Sequence, residues 1–126
     1  VLDFAPLAIE TFLDKHPDFP VTNAHTADFF EFTGTFDLII EQTLFCAIDP
    51  ILRSKYAEKS ASLLRKGGKL VGLLFNRDFD GGPPFGGNKT EYLKTFAPFY
   101  KNISMEESYN SIEPRKGSEV FIKLEK

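Results

Sequence analysis

The run FDLIIEQTLFCAIDP (residues 36–50) decides the fold, together with LLRKGGKLVGLLF (63–75) and GGPPFGG (81–87) after it. Leu38, Ile39 and Ile40 form an unbroken apolar run, the pattern of a strand covered on both faces. Asp49 and Pro50 follow as a capping side chain and a ring that presets the first helical φ. Leu52, Tyr56, Ala57, Ala61, Leu63 and Leu64 then share one side of a helix, Arg53, Lys55, Glu58 and Lys59 lie mostly on the other, and Gly67-Gly68 is expected to end it. KLVGLLF (69–75) is the next buried strand. Strand, helix and strand at this spacing predict a right-handed crossover unit in an α/β fold. Ligands of open α/β sheets bind outside the carboxyl ends of strands, so the loops after Ile40 and Phe75 are where chemistry is expected.

Working outward, VLDF (1–4) reads as a strand end that turns directly into the helix PLAIETFLDKH (6–16), with Pro6 at its first position and Pro17 closing it. Val21 to His25 is expected to form a short parallel strand that delivers Asp28 to a loop. Residues 76–88 carry no period and are rich in Gly and Pro, hence a loop. Pro83 and Pro84 stiffen it, while Gly81, Gly82, Gly86 and Gly87 are expected to let a ligand pack closely, so it is read as a substrate-side loop. TEYLKTFAPFY (90–100) predicts a helix with Tyr92, Leu93 and Phe96 inward. KNISMEESY (101–109) and SEVFIKLE (118–125) predict antiparallel strands at the sheet edge.

The 126 residues, 42% of them hydrophobic, fit a single domain over 1–126. A net charge of -3 with scattered Lys and Arg argues against nucleic-acid binding, and no apolar run reaches the length of a membrane span. The one cysteine, Cys46, sits among apolar neighbours and reads as a small core residue suited to a reducing cytoplasm. His16 and His25 have no partner at ligand spacing, so no metal is expected. Val1 opens in what reads as mid-strand and the only methionine is Met105, so the chain is expected to be the carboxyl-terminal part of a longer protein.

Asp3 stands at a strand end, where a carboxylate can accept hydrogen bonds from both hydroxyls of a ribose. Asp28 can accept from an adenine amino group, with the Phe29 amide available to a ring nitrogen and Phe4 offering an apolar face. A turn-capping aspartate among core phenylalanines explains Asp28 equally well. Arg53 and Lys55, at the start of a helix, suit an anionic acceptor or a cofactor carboxylate, and equally a solvated helix face.

LDFAPLAIE, ADFF, FDLIIEQTLFCAIDP, RKGGKL, GGPPFGG and PRKGSE together resemble the class I methyltransferases that use S-adenosylmethionine, and within them the thiopurine methyltransferase family, especially its thiol and halide branch. FCAIDP and GGPP are the most specific matches. The resemblance implies a Rossmann-like sheet, mostly parallel with antiparallel carboxyl-terminal strands, in which Asp3 and Phe4 meet the ribose and adenine, Asp28 and Phe29 the adenine, and Gln42 the methionine part of the cofactor. It implies Phe85 and Arg53 on the substrate side, a small-molecule nucleophile as acceptor, and no metal. Gln42 and Phe85 each stand where the plant halide enzymes have a tyrosine, which weakens the case for halide. The family's glycine-rich first-strand loop and its amino-terminal lid have no counterpart in the chain. The chain alone is therefore expected to bind cofactor poorly. An inactive methyltransferase-fold fragment that self-associates through an exposed sheet edge is the competing expectation. Nicotinamide-dependent oxidoreduction shares the acidic strand end but does not account for GGPPFGG.

Overall fold

The computed structural model describes residues 1–126, which form two compact units, 1–34 and 35–126. In the first, β1 (Leu2–Asp3) leads through Ala5 into α1 (Pro6–Lys15), with Pro6 at the first helical position as expected. Ile9 is its buried contact residue, and the Phe12 ring lies 4.7 Å from His16 and 5.0 Å from Phe19. The strand expected over Val21–His25 is confined to β2 (His25–Thr26). Asn23 N–H and Ala24 N–H close a 3-10 turn on the Pro20 and Val21 carbonyls, which curls Val21–Asn23 out of the extended conformation a ladder needs. β1 and β2 pair in parallel, with Leu2 opposite His25 and Asp3 opposite Thr26.

The second unit runs β3 (Phe36–Gln42), α2 (Leu44–Ala47), α3 (Arg53–Leu63), β4 (Leu64–Phe75), α4 (Lys89–Phe96), β5 (Lys101–Glu107) and β6 (Glu119–Glu125). Its sheet has the order β3-β4-β6-β5, with β3 and β4 parallel and the carboxyl-terminal strands antiparallel. β6 lies inside the sheet and β5 at its edge, because β6 carries alternate Val120, Ile122 and Leu124, all buried, whereas β5 buries no residue fully. Asp49 caps the turn before α3 by accepting from Ile51 N–H at 2.9 Å, with Pro50 next, as the sequence predicts.

α3 packs Tyr56, Ala57, Ser60, Ala61 and Leu63 inward. The core is aromatic. The Phe45 ring meets Tyr56 at 5.2 Å, Tyr92 at 5.4 Å and Phe96 at 5.5 Å, two of these edge-on. Removing a ring from such a contact costs on the order of 3–5 kcal/mol, so Phe45→Ala is expected to damage this core severely.

Three expectations need correction. The helix ends at Leu63, and Gly67-Gly68 belongs to the strand. Leu64 already pairs with Phe36, the register then jumps so that Leu38 faces Lys69, and Gly67, at φ +77, allows the bulge between them. Second, Leu38 is 48% and Ile40 75% exposed, so one face of β3 is uncovered. An apolar run records a tolerance for burial and not the presence of a partner. Third, Leu93 is half exposed, since Tyr92 and Phe96 already span the inward face of a helix of eight residues. No helix is long and apolar enough to cross a membrane.

Candidate active site

Two groups of sequence-predicted residues meet at strand ends, one in each unit. In the first unit, parallel neighbours β1 and β2 end at the same rim, which brings Asp3 and, two residues past Thr26, Asp28 to one end of the pair. Each aspartate caps its own turn. Asp3 Oδ1 accepts from Ala5 N–H at 2.8 Å, and Asp28 Oδ1 from Phe30 N–H at 2.8 Å. Each thus retains a second oxygen that no protein donor reaches. Phe4 is largely exposed beside Asp3, while Phe29 is half-buried with its ring edge-on to Phe30 at 5.6 Å.

In the second unit the carboxyl ends of β3 and β4 frame a pocket of about 320 Å³, lined by Thr43, Cys46, Ala47, Phe75, Pro83, Pro84 and Arg115. Thr43, the residue after β3, has φ 75, an uncommon conformation for a β-branched residue, and turns the chain sharply into α2. The turn is held from beneath by Glu41, which is only 5% exposed. Its carboxylate accepts from Phe45 N–H at 2.9 Å and from the Tyr56 hydroxyl at 2.6 Å. Burial raises the Glu41 pKa, opposed by the Phe45 amide, the Tyr56 hydroxyl and the Leu44 amide. Glu41 serves the turn and does not line the pocket.

Burial also raises the Cys46 pKa, and the nearby Glu41 charge adds to the rise. Cys46 therefore stays a thiol at neutral pH, donating to Thr43 O at 3.2 Å. The opposite wall, Pro83-Pro84, hangs from the same turn because Phe85 N–H donates to Cys46 O at 2.7 Å. Arg115 supplies the pocket's one charged side chain. Its guanidinium lies over the Phe75 ring at 5.2 Å and contacts Glu119 Oε1 at 3.4 Å.

Gln42 is exposed at the end of β3, Phe85 is half-buried, and neither lines the pocket. Arg53, expected at an anion, is instead committed to protein. It is 4% exposed, contacts Glu91 Oε1 at 2.5 Å and donates to Gly86 O at 2.7 Å. The glycines of the loop also serve the protein more than a ligand. A Cβ on Gly86 would collide with the Arg77 backbone, and one on Gly87 with the Tyr92 hydroxyl. Arg115 was missed as an individual residue because the Phe75 ring beneath it and the rest of the pocket lie far away in sequence; only the segment PRKGSE marked it.

The thiopurine S-methyltransferase family model matches residues 1–125. The chain belongs to the thiopurine S-methyltransferase family. Within it, the chain is 35% identical over 125 residues to the probable thiol methyltransferase 2 of Arabidopsis thaliana, and 34% identical over 125 residues to the thiocyanate methyltransferase 1 of Brassica oleracea. Each alignment covers 94% of this chain and 55% of the relative, so the chain spans about half the length of either. Among solved structures, the N-methyltransferase NodS of Bradyrhizobium japonicum WM9 superposes with a TM-score of 0.74 at 15% identity, over 99% of this chain and 71% of NodS. NodS in complex with S-adenosyl-L-homocysteine gives 0.71 at 16% identity, over 99% and 64%. The fold of this family member is thus the Rossmann-like class I methyltransferase fold.

Proposed function

We propose that this protein takes part in methyl transfer from S-adenosylmethionine to a small, soft, anionic nucleophile of the thiolate or thiocyanate type. The observation that carries the reading is the pocket at the ends of β3 and β4, whose walls are mostly apolar and whose one charge is the Arg115 guanidinium. The names of the two plant relatives agree with such an acceptor. The chain's residues also fit the nucleoside end of the cofactor, since Asp3 and Asp28 each keep a carboxylate oxygen beyond the one used in their own turn. In this reading Asp3 holds ribose hydroxyls, Asp28 and the Phe29 amide hold the adenine edge, and Phe4 offers a ring face. When bound, the cofactor supplies a methyl group on a cationic sulfur.

The protein's work at the acceptor end is alignment and dehydration. Arg115 attracts an anion, and Phe75, Pro83, Pro84 and Ala47 displace the water that would weaken it as a nucleophile. An acceptor that arrives ionised needs no general base, consistent with a pocket lined by no carboxylate or imidazole. Cys46, kept protonated, does not compete for the methyl group.

The test, with the family's glycine-rich first strand supplied ahead of Val1, is transfer of labelled methyl from S-adenosylmethionine to thiocyanate, sulfide, iodide and simple thiols. Thiocyanate or a thiol is expected to be methylated, with Arg115→Gln raising the thiocyanate KM about tenfold and leaving kcat within about a factor of two. No product with any of these acceptors would overturn the reading. A second reading, a noncatalytic fold that associates with a copy of itself, draws on the open edge of β3 and its exposed Phe36, Leu38 and Ile40. Concentration-dependent sedimentation abolished by Ile40→Lys would favour it.

A further inference from the structure

A buried arginine outside the lining of the pocket at the β3 and β4 ends calls for a physical reason. Desolvating a guanidinium costs several kcal/mol, and a well-packed apolar side chain of the same volume often serves stability as well or better. Arg53 is 4% exposed and its Nε has no hydrogen-bond partner, so its site is not optimised for stability. What its other atoms do is specific. One terminal nitrogen donates to Gly86 O at 2.7 Å, inside the GGPPFGG loop, and the other contacts Glu91 Oε1 at 2.5 Å on α4. The guanidinium carbon lies 5.0 Å from the Phe45 ring centre and 5.8 Å from that of Tyr92.

These contacts connect the two walls of the pocket. Phe45 belongs to the same short helix as Cys46 and Ala47, and Gly86 follows the Pro83-Pro84-Phe85 stretch that forms the facing wall. A second tie between these segments is the Phe85 N–H to Cys46 O bond. Tyr92, the second ring under Arg53, bonds Phe75 O at 2.6 Å and so reaches the end of β4 as well. We propose that Arg53 is a positioning residue: its guanidinium, bonded to Gly86 O and Glu91 and lying over the Phe45 ring, sets the spacing between the Cys46–Ala47 wall and the Pro83-Pro84 wall, and thereby the fit of a small anion beside Arg115. This deepens the acceptor-pocket reading above and rests on it.

Cys46, the chain's only cysteine, lines one of these walls and so reports on their spacing without any need for turnover. The experiment measures alkylation of Cys46 by iodoacetamide, with and without sodium thiocyanate and against a sodium chloride control, in the wild type and in three variants. Arg53→Met keeps volume without the fork. Glu91→Gln, at a half-exposed position that tolerates change, weakens one tine. Tyr100→Phe removes a buried hydrogen bond to Ser60 Oγ, 2.8 Å, while keeping the ring that packs on Phe96, and so controls for lost stability alone.

Thiocyanate is expected to protect the wild type and Tyr100→Phe equally. The protecting concentration should rise about tenfold in Arg53→Met and about threefold in Glu91→Gln, the range expected when one or both charge-assisted hydrogen bonds are lost. Protection unchanged in both Arg53→Met and Glu91→Gln overturns the assignment of Arg53 while leaving the pocket reading intact. Absence of protection in the wild type overturns the pocket reading and the assignment with it. A shift in Tyr100→Phe as large as in Arg53→Met also overturns it, because general loosening would then explain the effect.

Discussion

Asp3 and Asp28 in the first unit and Glu41 in the second occupy analogous places: each lies at or just past the end of a parallel strand and each caps the turn that follows. Their surroundings differ. Asp28 is exposed, Asp3 is half-buried, and each uses one oxygen on a local amide. Glu41 is buried with both oxygens spent, on Phe45 N–H and the Tyr56 hydroxyl. An acidic residue at a strand end is therefore two different devices. With spare acceptor capacity at the surface it can hold a ligand, and with none in the core it holds a turn.

The sharpest way to break that comparison is to remove the buried carboxylate. Glu41→Ala leaves the Tyr56 hydroxyl and the Phe45 amide unpaired in the core, and urea unfolding is expected to show a loss of about 3 kcal/mol. A loss below about 1 kcal/mol would place Glu41 with the surface aspartates after all. Asp3→Ala and Asp28→Ala each remove one cap and are expected to cost about 1 kcal/mol in the same assay, while weakening S-adenosylmethionine in calorimetry more than they weaken the fold. The same loss of stability with no change in cofactor heat would make them turn residues only.

A smaller effect concerns pH. Burial raises the Glu41 pKa above its ordinary 4.5, so between that value and the higher folded one the native state binds more protons than the unfolded chain. The associated stability is present below pH 4.5 and declines as pH rises through the folded value. Wild-type unfolding midpoints followed upward from pH 4.5 should therefore fall relative to those of Glu41→Gln. Parallel curves would show that the carboxyl is ionised in the folded state at ordinary pH. The smallest effect is expected at β3: Ile40→Lys changes an exposed side chain and should move stability by less than about 0.5 kcal/mol.

How much of this was legible beforehand follows the same division. FDLIIE and KLVGLLF announced parallel strands, Asp49-Pro50 announced the turn before α3, and the structure has them there. Leu38 and Ile40 misled, because periodicity states what a strand could bury and not what covers it. Arg53 looked like an anion site for a related reason, since a cation at a helix start has the same local signature whether solvent, ligand or Gly86 O lies beyond it.

The order of residues by itself determined the local elements, the family, and the placing of Asp3 and Asp28 after successive strands, because propensity, capping and strand-end position are short-range properties. Only the tertiary structure decided which carboxylate was left with a spare oxygen, which arginine faced the pocket and which was walled in. Those outcomes depend on burial, and burial is settled by partners distant along the chain, such as Glu91 for Arg53 and Phe75 for Arg115.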